Sequence, residues 1–213
     1  MPKLKPQELE ARRREIIVSA RACFLRDGFH QTTTDQICKE ASITPGGLYH
    51  YFSGKEELIS AVIEYSTEET VGKLRAAAEE TEDIGSAFQE LAAFLFQTMR
   101  DPDIDNVVRL DMEIWVEGLK NEKLAEISRR SWAARRQVLE RFIERSVKEG
   151  LYSTDDVDQK GFASLLMAIL IGLRLGKLVW KDDFDLNGAL RMLFLMNAGR
   201  LAANFPTITL PAK

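Results

Sequence analysis

The sequence predicts an all-α protein of about nine helices, in which three short amino-terminal helices precede a larger helical bundle. Three observations support this prediction. Apolar residues recur every three or four positions through most of the 213-residue chain. The strict alternation of a half-buried strand is missing, and glycine and proline fall where the periodic segments would end. The predicted helices are 7–27, 34–41, 45–51, 54–78, 84–100, 104–119, 121–149, 156–180 and 185–204.

The first two helices have recognisable ends. Gly28 follows the first helix, at the position where a left-handed residue closes many helices. Thr33 precedes the second, and the run Thr33-Thr34-Asp35-Gln36 has the spacing of a capping box. The apolar stripes that would face a shared core are Ile16, Ile17, Ala20, Cys23 and Phe24 on the first helix, and Ile37, Cys38 and Ala41 on the second.

The third and fourth helices also begin at residues suited to that position. Thr44 can cap the third helix, and Pro45 then occupies the first helical position, where its missing N–H costs nothing. Leu48 and Phe52 lie four residues apart, so they share the inward face. A long fourth helix opens at Gly54.

The remaining helices form the larger bundle. Its breaks fall at residues 79–83, Pro102, Gly150 and Asp182-Asp183. The apolar stretch 162–180 contains Arg174 and Lys177, so we interpret it as a buried helix covered on both sides rather than a membrane span. Its small residues Ala168, Gly172 and Gly176 share one face, which permits close helix packing. The last helix is amphipathic through Leu186, Leu190, Leu193, Phe194 and Leu201.

Helix 104–119 carries two apolar faces and one charged face. One apolar face holds Val108, Met112, Trp115 and Leu119, the other holds Val107, Ile114 and Gly118, and the charged face, expected in water, holds Arg109, Glu113 and Glu117. Asp111 falls between the apolar faces, so it is expected to point inward, where a carboxylate needs a partner. A structural ion pair, with Arg174 as the candidate partner, and a polar anchor for a ligand both remain open.

Charge is unevenly distributed along the chain. The net charge is −4, made up of +1 over residues 1–60 and −5 over the remainder. This asymmetry is compatible with a small nucleic-acid-binding module on an acidic body, or with chance. Cys23 and Cys38 lie within apolar helical patterns and are expected to be core residues in a reducing cytosol. The opening residues lack the apolar segment of a secretory signal, so we expect a cytoplasmic protein.

Residues 34–51 have the pattern of a helix-turn-helix. Two short helices are joined by Ser42, Ile43 and Thr44 and would pack on the longer first helix. Because Leu48 and Phe52 point inward, Tyr49, His50 and Tyr51 are expected to face outward, where hydroxyl and imidazole groups suit a phosphate backbone. Lys55 would add a cation. The alternative is a plain turn followed by a surface aromatic cluster.

The run "REIIVSARACFLRDGFHQTTTDQICKEASITPGGLYHYFSGKEELISAV" resembles the amino-terminal DNA-binding domain of the TetR family of bacterial transcriptional regulators. The resemblance implies a DNA-binding domain at 1–53, a connecting helix at 54–80, and an all-helical ligand-binding and dimerisation domain at 81–213. It implies DNA contacts from Thr33, Thr34, Thr44, Pro45, Gly46, Gly47, Tyr49, His50, Tyr51 and Lys55. Pro45 and Gly47 depart from the side chains usual in the family, which shifts recognition from base edges towards phosphates and DNA shape.

We therefore expect a homodimeric repressor that binds a palindromic double-stranded DNA operator and is released by a small-molecule effector. Candidate effector-binding residues are Phe96, Met99, Asp111, Met112, Trp115, Met167, Leu170 and Arg174, although residues such as Phe96 and the methionines are more often simply core. An enzyme is disfavoured, because the two histidines, His30 and His50, both lie in the amino-terminal part. We expect no metal, cofactor or membrane partner. A binding protein that keeps the fold without DNA binding is the runner-up.

Overall fold

The computed structural model describes residues 5–152 and 157–197. Within these ranges the chain forms nine α-helices and no strand, which confirms the predicted fold class. The helices are α1 (Pro6–Asp27), α2 (Thr34–Glu40), α3 (Pro45–Tyr49), α4 (Lys55–Glu79), α5 (Ile84–Arg100), α6 (Ile104–Gly118), α7 (Glu122–Lys148), α8 (Gln159–Trp180) and α9 (Leu186–Asn197). The predicted continuation of the last helix to residue 204, with Leu201, lies outside the described residues.

The predicted helix starts of the amino-terminal part are present. Thr33 and Gln36 form the reciprocal capping box: the Gln36 N–H donates to Thr33 Oγ1 at 3.2 Å, and the Thr33 N–H donates to Gln36 Oε1 at 2.6 Å. The hydroxyl oxygen of Thr44 accepts the N–H of Gly47 at 3.1 Å, and Pro45 is the first residue of α3. These bonds satisfy N–H groups that a helix cannot satisfy internally.

The chain divides into two compact units, Met1–Ala168 and Ile169–Lys213, with the division inside α8. In the first unit α4 packs most extensively against α7, and also against α5 and α1. The two compact units therefore do not meet at the predicted domain boundaries, residues 53 and 80. Those boundaries separate parts with different expected functions, and they stay a prediction.

Two separate hydrophobic clusters form the interior of the first unit. The first cluster contains residues from each of the helices α1, α2, α3 and α4. Four residues of α6 and α7 complete it: Leu110, Ile114, Leu124 and Ile127. The second cluster lies around Leu74, Ala78, Ala87, Leu91, Val138, Leu139, Phe142, Ile143, Ala163 and Met167. The four amino-terminal helices thus share their core with α6 and α7.

Along the α4–α7 pair the two clusters are separated in sequence by a buried polar contact. Thr67 Oγ1 and Ser131 Oγ lie 2.6 Å apart, and Thr67 also donates to the carbonyl of Ile63 at 2.6 Å. Because the single hydroxyl hydrogen of Thr67 goes to that carbonyl, Ser131 is the donor in the pair.

The second unit contains the rest of α8, a 3-10 turn at Lys181–Asp183, and α9. A Cβ on Gly176 would lie 2.8 Å from Cε2 of Phe184, so glycine permits this close approach as predicted. Among the described residues, nothing lies within 4 Å of a Cβ built on Gly172, so no described neighbour uses the close approach that this glycine permits.

Helix α8 is less covered than its sequence predicts. Within Gln159–Asp183, the most apolar 18-residue stretch has a mean hydropathy of 1.9, yet only 22% of that stretch is buried. Leu165, Val179 and Trp180 are 56%, 56% and 59% exposed. The described residues of a single chain therefore do not cover both sides of this helix, and its full coverage stays a prediction. By length and composition alone the helix could cross a membrane, a test that core helices of soluble proteins also pass.

Candidate nucleic-acid interface

The turn between α2 and α3 is held by main-chain bonds and by α1. Ile43 N–H donates to the carbonyl of Cys38 at 2.9 Å, and Ser42 closes the turn with a φ of 51°. From α1, the guanidinium of Arg12 donates to the carbonyls of Ala41 and Ser42 at 3.2 and 3.4 Å. These bonds fix the relative placement of the two short helices, as a helix-turn-helix requires.

The aromatic run divides between the core and the surface. Leu48 and Phe52 are 0% and 1% exposed and belong to the first cluster, as predicted. Tyr49 is 56% exposed, and His50 is also exposed. The outward position predicted for Tyr51 is wrong, since its ring is half-buried against the first cluster, with the His50 ring edge-on to it at 5.6 Å.

The outer surface of α3 carries few side-chain atoms. Pro45 and Gly46 are exposed, and no atom in the described part of the chain lies within 4 Å of a Cβ built on Gly46. A Cβ on Gly47 would lie 3.3 Å from Thr44 Oγ1. The surface therefore presents exposed main chain between the hydroxyl group of Thr44 and the phenol ring of Tyr49.

Two of the three threonines predicted to contact DNA, Thr33 and Thr44, cap the starts of α2 and α3. Thr33 is fully occupied by its capping box, because its hydroxyl also donates to Gln36 Oε1 at 3.0 Å. Thr44 accepts one main-chain N–H and keeps its hydroxyl hydrogen for another partner. Thr34 is half-buried.

Lys55 is not the free cation that the sequence suggests. Its ammonium donates to three carbonyl oxygens of the loop after α1, those of Phe29, His30 and Thr32, at 2.9, 3.2 and 3.1 Å. It also lies 4.7 Å from the centroid of the Phe29 ring. A lysine has three N–H donors, so all of them have acceptors within the protein.

The basic start of α1 is likewise engaged. The guanidinium of Arg13 lies 5.0 Å from the centroid of the Phe52 ring, and that of Arg14 lies 5.3 Å from that of Tyr65. Such cation–π contacts stabilise the packing of α1 against the helices beneath it. The positive charge of the amino-terminal part therefore supports the fold as well as any interface.

Helix α6 is rotated from its predicted orientation. Its buried residues include Leu110 and Ile114, four residues apart, which pack into the first cluster. Met112, Trp115 and Leu119, predicted to face inward, are 38%, 43% and 86% exposed. Val108 and Ile114, one from each predicted apolar face, are buried as expected. Ile114 packs into the first cluster together with Leu110, which the prediction places on neither face.

The charged face predicted to lie in water instead reaches the loop after α1. Glu113 Oε2 accepts the main-chain N–H of Phe29 at 2.6 Å. One turn further on, Glu117 Oε2 lies 3.7 Å from Nε2 of His30. Sequence reasoning missed both contacts, because no local pattern marks a bond between residues 84 positions apart.

The candidate effector-binding residues occupy different environments. Met99 and Met167 are buried, Phe96 and Asp111 are half-buried, and Met112 and Trp115 are exposed, all within the first unit. Leu170 and Arg174 are half-buried residues of the second unit. A pocket that combines these residues, and an Asp111–Arg174 pair, stay predictions.

A charged cleft opens where α1 and α4 meet α7. Its volume is about 280 Å³, and its lining is Arg13, Glu57, Ser60, Ala61, Glu64, Lys123, Glu126, Ile127 and Arg130. Arg130 of α7 lies 3.5 Å from Glu64 of α4. Hydrogen bonds from the N–H and then the hydroxyl of Ser53 hold the pKa of Glu57 below its usual value. None of the predicted effector-binding residues lines this cleft.

The sequence places this helix-turn-helix chain in a known class. Residues 16–62 match the profile described as "Bacterial regulatory proteins, tetR family". Residues 87–194, just over half of the chain, match the profile described as "BetI-type transcriptional repressor, C-terminal". The chain therefore belongs to the TetR family of bacterial regulatory proteins, a class of helix-turn-helix transcriptional regulators.

Individual relatives agree with this membership. The HTH-type transcriptional regulator UidR of Escherichia coli K12 is 30% identical over 118 residues, which are 55% of this chain and 57% of UidR. The matched part thus spans little more than half of that protein. Salmonella enterica GusR superposes with a TM-score of 0.71 at 27% identity, over 94% of this chain and 99% of GusR. A TetR regulator from Haloarcula marismortui has a TM-score of 0.76 at 20% identity, over 89% and 97%, and supports the fold alone.

Proposed function

We propose that this chain is a cytoplasmic, homodimeric DNA-binding repressor that a small-molecule effector releases from its operator. The observation that carries the proposal is the braced α2–turn–α3 unit, whose exposed surface combines Tyr49 and His50 with the uncovered main chain at Pro45 and Gly46. Membership of the TetR family supports it. The repressor role rests on the described role of the carboxy-terminal profile.

DNA contacts in this proposal are mainly to phosphates. Hydroxyl and imidazole donors on Thr44, Tyr49 and His50 position the protein on the backbone but carry no base information. The glycines allow the main chain to approach the duplex closely, so specificity comes largely from DNA shape and deformability. Lys55 acts indirectly, by holding the loop that precedes α2.

The dimer would form through α8 and α9. Exposed apolar side chains on these helices, such as Leu165, Val179 and Met196, give a surface that a second copy can cover. A twofold dimer presents its two copies of α3, the second helix of each helix-turn-helix, about one DNA turn apart, roughly 34–36 Å. The effector would bind in the bundle, at the residues predicted from the sequence, and shift the dimer away from that spacing. No catalytic role is proposed.

Selection of bound DNA from a random pool at physiological salt tests the proposal. We expect a palindromic site with half-sites one turn apart. Tyr49→Phe should weaken binding to every sequence about equally, because a phosphate contact is lost. Tyr65→Phe is the matched control, since its hydroxyl bonds Glu69 at 3.0 Å within α4. Enrichment of a single half-site would refute the dimer, and a change of base preference in Tyr49→Phe would refute the phosphate role.

A second candidate function is ligand binding without DNA binding. It is favoured by one feature, the absence of side-chain donors at Pro45, Gly46 and Gly47 in α3. If no DNA sequence is enriched while small molecules raise the melting temperature, this alternative is correct.

A further inference from the structure

The loop that joins α1 to α2 is held by charged groups from two sides. On one side, Glu113 of α6 accepts the N–H of Phe29 at 2.6 Å. On the other, the ammonium of Lys55, the first residue of α4, donates to the carbonyls of Phe29, His30 and Thr32 at 2.9–3.2 Å. An anion thus meets the loop's N–H, and a cation meets its carbonyls.

These contacts are strong, and they leave little room for the loop to move relative to α6. Phe29 is only 5% exposed, and hydrogen bonds to charged partners are roughly twice as strong as neutral ones. The carboxylate also lies directly against the main chain: a Cβ built on Gly28 would be 2.7 Å from Glu113 Oε1. Any displacement of α6 that carries Glu113 must therefore move the loop or break a charge-assisted bond.

The loop leads directly into the DNA-binding helices. Thr33, which immediately follows it, is the N-cap of α2, and Lys55 begins α4. The same stretch of α6 is anchored to the helix-turn-helix by Leu110 and Ile114, which share the first cluster with α1 to α4. The apolar contact holds α6 close, and the polar contact fixes the loop's position relative to it.

We propose that Glu113 is the positioning residue that couples α6 to the DNA-binding helices, through the loop 28–32 and Lys55. The proposal rests on the proposed DNA-binding function. Coupling is reciprocal: if α6 sets the position of the DNA-binding helices, bound DNA must alter the stability of α6. This reciprocity allows a test without knowledge of the effector, using the selected operator DNA as the probe.

The first measurement needs no DNA. In the free protein, hydrogen exchange of the Phe29 amide should be roughly 5- to 10-fold faster in Glu113→Gln, which keeps the shape but makes the acceptor neutral. Glu117→Gln is the matched control: it removes the same charge from the same face of α6, where the contact is 3.7 Å from His30. Equal Phe29 exchange in Glu113→Gln and the wild type would overturn the hydrogen-bonded clamp.

The second measurement compares exchange across Ile104–Gly118 with and without operator DNA. In the wild type and in Glu117→Gln, DNA should change exchange in α6 by at least about threefold, and in Glu113→Ala this change should be lost while DNA still binds. No change in wild-type α6, or an undiminished change in Glu113→Ala, overturns the coupling. If no DNA binds, the proposed function fails and the coupling with it, while the Phe29 measurement still decides whether the clamp exists.

Discussion

Replacing Gly28 by alanine adds a Cβ at the point where α1, the following loop and α6 meet. Gly28 has a φ of 82° and a ψ of 165°, a combination that side-chain-bearing residues almost never adopt. The new Cβ would also lie 2.7 Å from Oε1 and 3.2 Å from Oε2 of Glu113. The variant therefore meets a backbone penalty and a clash with the carboxylate that binds Phe29.

The two penalties can be given magnitudes. Backbone strain of this kind costs about 1–3 kcal/mol. The carboxylate can retreat only by giving up the 2.6 Å bond from the Phe29 N–H, and a hydrogen bond to a charged group contributes about 1.5–3 kcal/mol. Gly28→Ala should therefore lower the free energy of unfolding by roughly 2.5–6 kcal/mol.

A double-mutant cycle with Glu113→Ala separates the two penalties. In that background the bond and the clash are already gone, so Gly28→Ala should cost only the backbone part, about 1–3 kcal/mol. The measurement is urea unfolding at one fixed protein concentration, because dimer stability depends on concentration. A coupling energy below about 0.5 kcal/mol would refute the argument, since independent sites are additive to that level.

Three further outcomes follow from other contacts. Lys55→Met leaves three loop carbonyls without their donor, which should lower the melting temperature by roughly 2–12 °C. If the melting temperature is unchanged and the salt dependence of DNA binding falls by about one unit of slope, Lys55 contacts a DNA phosphate instead. Thr67→Val should cost about 1–3 kcal/mol because the buried Ser131 hydroxyl loses its acceptor, and adding Ser131→Ala should recover part of that cost, whereas a further loss in the double variant would contradict the pairing. Hydrogen bonds from the N–H and hydroxyl of Ser53 lower the pKa of Glu57, so this carboxylate contributes stability above its usual pKa of 4.5 that is lost as pH falls through the folded value. Lowering the pH should therefore reduce the free energy of unfolding of the wild type more than that of Glu57→Gln. Parallel plots of this free energy against pH would disprove the argument.

Features set by neighbouring residues were predictable from the sequence. The caps at Thr33 and Thr44 depend on residues three positions apart, so their spacing is visible in the chain. The inward pair Leu48 and Phe52 follows from helical periodicity. The glycine requirement at residue 28 followed from its place after α1.

Features set by tertiary contacts were not predictable in the same way. Charge alone suggested that Lys55 and Glu113 face solvent or DNA, whereas both bind main-chain groups of a loop 23 to 84 residues away. Periodicity indicated two neighbouring apolar faces on α6 but not which of their residues would be buried. The choice came from the first cluster, which accepts Leu110 and Ile114 and leaves Trp115 exposed.

The shared first cluster has a consequence for building hybrid regulators. A graft of residues 1–53 onto the bundle of another family member would carry α1 to α3, and a graft of residues 1–80 would add α4. Both would leave behind Leu110, Ile114, Leu124 and Ile127, which complete the core of these helices. The recipient would have to supply apolar side chains of matching shape at these four positions, and a carboxylate at the position of Glu113. Chimaeras that also transplant residues 104–127 keep the native set together, so the natural unit of exchange is discontinuous in the sequence.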